Sequence, residues 1–435
     1  MTFNGKNVAL FGALAALFVI SGVTQSWNTS LNILNFGLLF SIMALGLNMQ
    51  WGYAGLFNTG VMGFGALGGL AVALVSTPVI PAAWSAGGWQ IMAGLLVGAA
   101  VIVAAALLWK RMKPGRARTV AMLVLLIGGF FLYRGVFDPG VKAVEGLNAA
   151  SAGNIGGLGL PVLLSWPIGG LLAAGAAYLV AKTALGLRSD YLAIATLGIA
   201  EIIVSVMKNE DWLARGVMNV IGLPRPWPVP LEVDLQQQQG FLQWCAGWGL
   251  DPQNASAIVV KLAYCGLFVA VLALVITIAE LALHSPWGRM MRAIRDNEIA
   301  AEAMGKDVKK RHLQIFVLGC AVIGVAGAML VTLNGQLTPT SYQPLQYTFT
   351  IWVMVVVGGS GNNWGSVLGG LLVWFLWNEV EPVGQAGMQM LTSTLPNGVI
   401  KDHLINSTEQ MRYLVMGIML LLVLRFSPRG LIPEK

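Results

Sequence analysis

Charge is what this sequence lacks most. Lys, Arg, Asp and Glu make up 10% of its 435 residues, against about 25% in an average soluble domain. Hydrophobic residues reach 56% and mean hydropathy is +0.72, which excludes the soluble globular class. Cysteine is nearly absent: Cys245 sits in a polar stretch, Cys265 and Cys320 in apolar runs. Such an odd, scattered set argues against a disulfide framework, and thiols in apolar runs act as small hydrophobes. Histidine is equally scarce, and His284, His312 and His403 fall at the ends of apolar runs or in loops. No chain of acids and histidines is available for a proton relay, which disfavours an ion-coupled transporter or redox pump. Gly5-Lys6 and Gly305-Lys306 are followed by Asn and Asp, so neither forms the end of a phosphate-binding loop. Zinc-ligand spacing and a nucleophile elbow are missing as well. The residues predict no catalytic group, no metal and no cofactor. Energy for any uphill movement must come from another subunit.

Long apolar runs are what the sequence has. A spanning helix needs roughly 20 mostly apolar residues. Twelve candidate spans emerge, at about 8–24, 31–48, 53–75, 90–109, 119–137, 162–181, 191–207, 257–283, 313–333, 346–358, 365–380 and 411–425. The first lacks a basic start and a small-residue cleavage site, so it reads as a span rather than a signal peptide. The tenth is short for a full crossing and is expected to be tilted, broken or re-entrant. The predicted fold is an all-α polytopic membrane protein of about twelve transmembrane helices, one transmembrane domain over 1–435.

Lys and Arg set the orientation, because cytoplasmic loops carry the excess. With the N terminus inside, 18 of the 26 basic residues fall on the inner side. They are Lys6, the Lys110–Arg118 cluster, Lys182, Arg188, seven residues from Arg289 to Arg311, and Arg425, Arg429 and Lys435. Acids such as Asp138, Glu210, Glu232, Asp251, Glu379 and Glu409 collect at outer loops and span ends. The net charge of +7 is therefore topological, and no nucleic-acid partner is expected. Both termini are predicted to be cytoplasmic. Outer connections at 78–90, 138–161 and above all 208–256 are long. Alternating prolines over 224–230 forbid helix there. These segments read either as solvated connectors or as surfaces for an external partner.

Glycine clusters at 52–69, 319–327 and 358–370. Gly65/Gly69 and Gly365/Gly369 have the spacing of a helix-packing seam. Asn58-Thr59 and Asn362-Asn363 place polar groups inside these stretches, where transporters often hold substrate. Glu201 lies within 191–207, roughly 15 Å from the inner end and 9 Å from the outer at 1.5 Å per residue. A charged acid there costs on the order of 3 kcal/mol on insertion scales, so it must face protein or water, or be protonated. Asn58, Thr59 and Glu201 are the candidate pathway residues; for Glu201, satisfaction by a neighbouring hydroxyl or backbone group is the alternative.

The inner loop 284–312 is the most specific stretch. Ser285-Pro286 reads as a helix N-cap and first residue. An amphipathic turn follows, Asn297 can cap a second short helix over Glu298–Met304, and Gly305 would end it. Arg292 and Asp296, four apart, can pair for about 0.3 kcal/mol. Ile294, Ile299, Ala300, Ala303 and Met304 have no use in a merely solvated loop, so the loop reads as a docking element for a partner groove. Its candidate residues are Arg292, Arg295, Asp296, Glu298, Ala300, Glu302 and Gly305.

Here the chain resembles a known family, the membrane permeases of bacterial ABC importers for branched-chain amino acids, of the LivM type. The string from Ala293 to Gly305 is similar to the family's coupling-loop motif. So are Leu45–Asn48 leading into Trp51–Phe57, Leu187–Gly198 ending at Glu201, and Phe426–Leu431. The matches run in order over most of the chain. The resemblance implies a core of about ten helices in the cytoplasmic (inner) membrane. It implies a non-enzymatic pore subunit paired with a second permease, two ATP-binding subunits and a periplasmic binding protein that delivers the amino acid. Three departures stand out. Asn58-Thr59-Gly60-Val61 replaces the family's frequent Ser-Leu-Gly-His, so no histidine role carries over. Ser366 stands where the family has proline. A helical hairpin over 90–137 looks inserted. Permeases for urea or short-chain amides look similar across the same motifs, so that substrate class remains the rival. A stand-alone secondary transporter would need more ionisable groups than Glu201.

Overall fold

The computed structural model describes residues 5–147, 153–186, 189–393 and 398–434. Leu187, Arg188 and Lys435, used above for motif and orientation, lie outside the described residues. The main helices are α1 (Gly5–Thr24), α2 (Trp27–Ala54), α3 (Val61–Ser76), α4 (Pro81–Arg111), α5 (Arg116–Glu145), α6 (Val162–Ala184) and α7 (Ser189–Asn209). They continue with α8 (Pro252–His284), α9 (Pro286–Asp296), α10 (Glu298–Ala303), α11 (Val308–Asn334), α12 (Pro344–Gly358), α13 (Asn363–Leu391) and α14 (Met411–Phe426). Among the described residues, nine helices are long and apolar enough to cross a bilayer. Strand among the described residues is limited to Val220–Ile221 paired antiparallel with Gln336–Leu337. This is an all-α polytopic membrane protein.

The centre is α2. Its residues from Gly37 to Gln50 are buried without interruption, as expected of a helix apolar on every side. Its few polar side chains serve as ties: Asn35 donates to the Lys261 carbonyl at 3.0 Å, Ser41 to Val367 at 3.1 Å and Gln50 to Phe316 at 2.9 Å. α2 is thereby fixed to α8, α13 and α11. Around it, α3, α6 and α11 touch backbone to backbone. A Cβ on Gly68 would overlap the Gly324 carbonyl, one on Gly327 that of Gly65, and one on Gly324 that of Gly169. The same holds between α12 and α13, where a Cβ on Gly365 would crowd the Gly358 carbonyl and one on Gly369 would overlap that of Met354. Helix packing in lipid relies on such close approach.

α4 and α5 form a hairpin beside this bundle. They pack on each other and expose Leu96, Ile102, Val124 and Phe131. The end of the hairpin away from its connecting turn is held by a separate apolar cluster of Ala83, Ile91, Phe137, Val144 and Trp212. The 208–256 segment is more than a bare connector. It contains short helices at Glu232–Gln237 and Gln239–Gly247, an Arg225–Glu232 ion pair at 2.6 Å, and Leu223, Val229 and Leu235 packed on the main core. Cys245, expected in a polar loop, is buried on the short helix Gln239–Gly247.

Eleven of the twelve predicted spans coincide with single helices. The span at 53–75 does not. Tyr53 and Ala54 complete α2, which Gly55 stops at φ +68, its N–H bonded back to the Gln50 and Trp51 carbonyls. Glycine accepts this left-handed turn without a Cβ penalty. Residues 55–60 are non-helical and α3 starts only at Val61. α12, with 15 residues, extends about 22 Å at 1.5 Å per residue, shorter than a hydrocarbon core of about 30 Å.

Candidate functional site

The α9–α10 loop is a rigid projection. The Ser285 hydroxyl accepts from the Gly288 N–H at 3.3 Å, Asn297 Oδ1 from Ala300 at 2.9 Å, and Asp307 Oδ1 from Lys310 at 3.0 Å. Each cap satisfies an otherwise orphaned helix N–H. Gly305, at φ +77, closes α10. Beneath, Ile294, Ala301 and Val308 form a small buried cluster. Glu298, Ala300, Glu302 and Gly305 are exposed, and Ile299 and Met304 are 81% and 80% exposed. A firmly held knob thus presents two large apolar side chains outward.

Arg295 links the knob to the membrane helices. Its guanidinium donates to Glu434 Oε2 at 2.8 Å, to the Gly52 carbonyl at the end of α2, and through Nε to Asp296 at 3.2 Å. Burial works to lower its pKa, but Glu434 and Asp296 outweigh that and hold it above its ordinary value. Asp296 therefore pairs with Arg295 and not with Arg292, the four-residue partner expected from sequence; the packing of Arg295 against Gly52 brings its fork next to Asp296. Arg292 instead lines a cavity of about 1080 Å³ together with Arg289, Arg295, Arg429, Asp296 and Glu434.

The residues after α14 complete this region. Leu431 and Ile432 donate their N–H groups to the carbonyls of Val357 and Gly358, both at 2.9 Å. Asn362 donates to the Pro433 carbonyl at 3.1 Å. The break between α12 and α13 is bound from the other side by Asn48, which accepts the Gly361 N–H at 2.8 Å. Asn363 takes the Tyr53 hydroxyl and donates to Glu280 at 3.1 Å. Sequence reasoning assigned no role to Glu434, met Asn48 only as the end of the Leu45–Asn48 string, and took Asn363 with Asn362 as polar groups of the kind that hold substrate rather than as a structural tie. For Glu434 the available signal was that the nearby Phe426–Leu431 belongs to a recognisable string.

Asn58 is fully buried in the 55–60 break. It donates to Gln50 Oε1 at 2.9 Å, accepts the Gly60 N–H at 2.8 Å, and its carbonyl accepts the Trp352 indole N–H at 2.9 Å. Thr59 donates its N–H to Thr196 Oγ1 at 3.1 Å and its hydroxyl to the Ala193 carbonyl. The break is thus satisfied by protein on α2, α7 and α12, as membrane depth demands. Asn58 and Thr59 are brought together with Thr196 and Gln50, two residues not singled out from sequence. Glu201 is not with them. It is exposed and lines a groove of about 730 Å³ with Lys208, Gln343, Gln346, Thr350 and Tyr413.

A sequence model of the family described as "Branched-chain amino acid transport system / permease component" matches residues 29–144 and 117–424. The chain belongs to this permease family. It is 27% identical over 312 residues to the "High-affinity branched-chain amino acid transport system permease protein LivM" of Escherichia coli (strain K12), covering 72% of this chain and 64% of that protein. The Salmonella typhimurium LivM aligns over the same shares at 26% identity, so the chain spans just under two thirds of the length of these bacterial relatives. The "Probable branched-chain amino acid transport permease protein LivM" of Methanocaldococcus jannaschii is 26% identical over 410 residues, 93% of each chain. No solved structure matches. The family resemblance read from the coupling-loop string is borne out. The permease is a multi-pass inner-membrane protein of a transport family, and such permeases are not catalytic.

Proposed function

We propose that this permease is the translocation subunit of an ATP-driven importer for branched-chain or related hydrophobic amino acids. Its partners are a second permease, two ATP-binding subunits that hydrolyse the ATP, and a periplasmic binding protein. The observation that carries the reading is the exposed α10 knob joined by Arg295 to α2 and to the residues after α14. With both termini cytoplasmic, the 284–312 loop faces the ATP-binding subunits and 208–256 the periplasm. The hairpin over 90–137 is read as an insertion to the ten-helix core.

ATP-driven closure of the partner subunits displaces α9–α10. Arg295 passes the displacement to Gly52 and, through Glu434, to the 358–362 break. α2 and α12 then tilt together, the kind of rigid-body motion by which alternating access proceeds. A carboxylate such as Glu201 left facing lipid costs about 3 kcal/mol; its groove is read as covered by the second permease, with the passage along that seam. The test is reconstitution of the complete importer in proteoliposomes containing ATP. Leucine uptake dependent on the binding protein supports the reading. Uptake of urea or acetamide without leucine overturns it.

A further inference from the structure

The basic cavity beside α9 holds about 1080 Å³, just above the range of about 300–1,000 Å³ usual for small-molecule sites. One wall is a single face of α9. Arg289, Arg292, Ala293 and Asp296 line it, at positions i, i+3, i+4 and i+7, which a helix stacks on one side. Ser360 from the 358–362 break and Arg429 from the segment after α14 line it as well. The charges do not balance. Four guanidinium groups stand against two carboxylates, Asp296 and Glu434, and Arg295 engages both of these. Among the described residues neither Arg289, Arg292 nor Arg429 is in an ion pair. Arg289 donates to the His284 carbonyl at 3.1 Å, which leaves its charge unmatched. Arg292 also borders a smaller cavity that contains Glu280, so the excess is clearest at Arg289 and Arg429.

Such a lining calls for an anion. The planar fork of a guanidinium meets phosphate oxygens two at a time. The surroundings indicate the source of the phosphate. Arg429 lies three residues beyond Phe426, the last residue of α14, whose final turns expose Leu421, Leu422, Leu424 and Phe426. An arginine just past an apolar helix end stands at the depth of the lipid headgroups. Trp51 also lines the cavity, and tryptophan is enriched at that same level. The docking knob α10 supplies none of the lining residues, so cavity and knob are different faces of the loop.

We infer that this cavity binds a phosphate group, supplied by the headgroup of an anionic lipid of the inner leaflet. Basic pockets between spans on the cytoplasmic side suit such headgroups. The inference goes beyond the importer reading: it uses the inner-side placement of α9 and nothing about the cargo. Because Arg295 and Glu434 line the same cavity, the lipid sits where α9 is tied to α2.

The test titrates fluorescent phosphatidylglycerol into the purified full chain in detergent. Arg289→Gln with Arg429→Gln removes two charges from the cavity and weakens binding about ten-fold or more, the effect of losing charge-assisted hydrogen bonds. Lys113→Gln with Arg116→Gln removes the same charge from the exposed turn of the hairpin and leaves the affinity unchanged. Inorganic phosphate at matched ionic strength separates the two sources of the group. A headgroup site keeps its phosphatidylglycerol, whereas displacement assigns the cavity to a soluble phosphate compound. Should the cavity variant purify poorly, Ser360→Cys, at an exposed position of the wall, gives a second measurement: phosphatidylglycerol, and not phosphatidylcholine, slows its reaction with a maleimide. Unchanged affinity in the cavity variant, equal loss in both pairs of variants, or an unprotected Ser360→Cys overturns the inference. So does loss of the lipid when the ATP-binding subunits are added, which gives the cavity to an acidic face of that partner. Absence of leucine uptake bears on the importer reading alone.

Discussion

Arg295 and Glu434 meet at 2.8 Å although 139 positions separate them, and the same guanidinium holds the Gly52 carbonyl. Both side chains are about three-quarters shielded, at 25% and 27% exposure. The pair ties α9 to the end of α2 and to the segment after α14.

Breaking this tie is expected to uncouple the importer rather than unfold it. Charge-assisted hydrogen bonds contribute about 1.5–3 kcal/mol, and partial solvent screening places this pair at the lower end. Arg295→Ala is predicted to lower uptake at least ten-fold while ATP hydrolysis persists. Glu434→Gln, which keeps an acceptor, should retain more activity than Arg295→Ala. Uptake and ATPase rates measured on the same proteoliposomes decide this. Equal loss of both rates would point to misassembly.

The α10 knob provides a docking test. If the knob docks in a basic partner groove, Glu302→Arg puts like charge against it and a bulky residue at Ala300 blocks close approach. Both positions are exposed, and surface changes of this kind shift folding stability by no more than about 0.5 kcal/mol. Membrane insertion is therefore expected to be normal while co-purification of the ATP-binding subunits falls. A normal subunit ratio together with wild-type uptake would refute the docking role.

Topology can be read by labelling. Trp248→Cys, on an exposed position of the 208–256 segment, is expected to react with an impermeant thiol reagent in sealed cells. Ile299→Cys should react only in inverted vesicles. Labelling of Ile299→Cys from outside would reverse the whole orientation.

The close backbone contacts predict which glycines tolerate change. A Cβ at Gly60 would overlap the Thr196 carbonyl, and one at Gly63 would press on Ala200 at 2.5 Å. Leucine at either site is expected to abolish assembled protein or uptake, as overpacking forces backbone shifts. Gly128→Ala, on the outer hairpin with nothing near it, should instead raise thermal stability slightly, since alanine is favoured over glycine in a helix by about 0.5–1 kcal/mol. Comparing Tm values of the purified variants checks both directions.

The sequence carried the helices well because a membrane span is a composition signal, and 20 apolar residues announce themselves wherever they fall. The interruption after Ala54 was less legible. Residues 53–75 are apolar apart from Asn58 and Thr59, and the left-handed turn at Gly55, a property of the backbone, opens the non-helical stretch that divides them. Caps at Ser285 and Asn297 were readable because they act over three residues. Arg295 was named for the correct loop but its partner was not, since Glu434 reaches it only through the tertiary path of the segment after α14. The same limit separates Glu201 from Thr59. Both were placed in one passage by their polarity, whereas helix α7 turns Thr196 towards the bundle and Glu201 away from it.

The position of α2 has a consequence for biogenesis. Tyr53 finds its acceptor on Asn363, 310 residues later in the chain, and Asn48 finds the Gly361 N–H after 313. The helix at the centre of the molecule thus leaves the ribosome about 300 residues before the partners that enclose it. Throughout synthesis its amide and phenol groups must be kept from lipid by water or by the insertion machinery. Slow release of the α12–α13 region would prolong that exposure, so damage done in the second half of the gene should appear first as degradation of a chain whose early helices are already in the membrane.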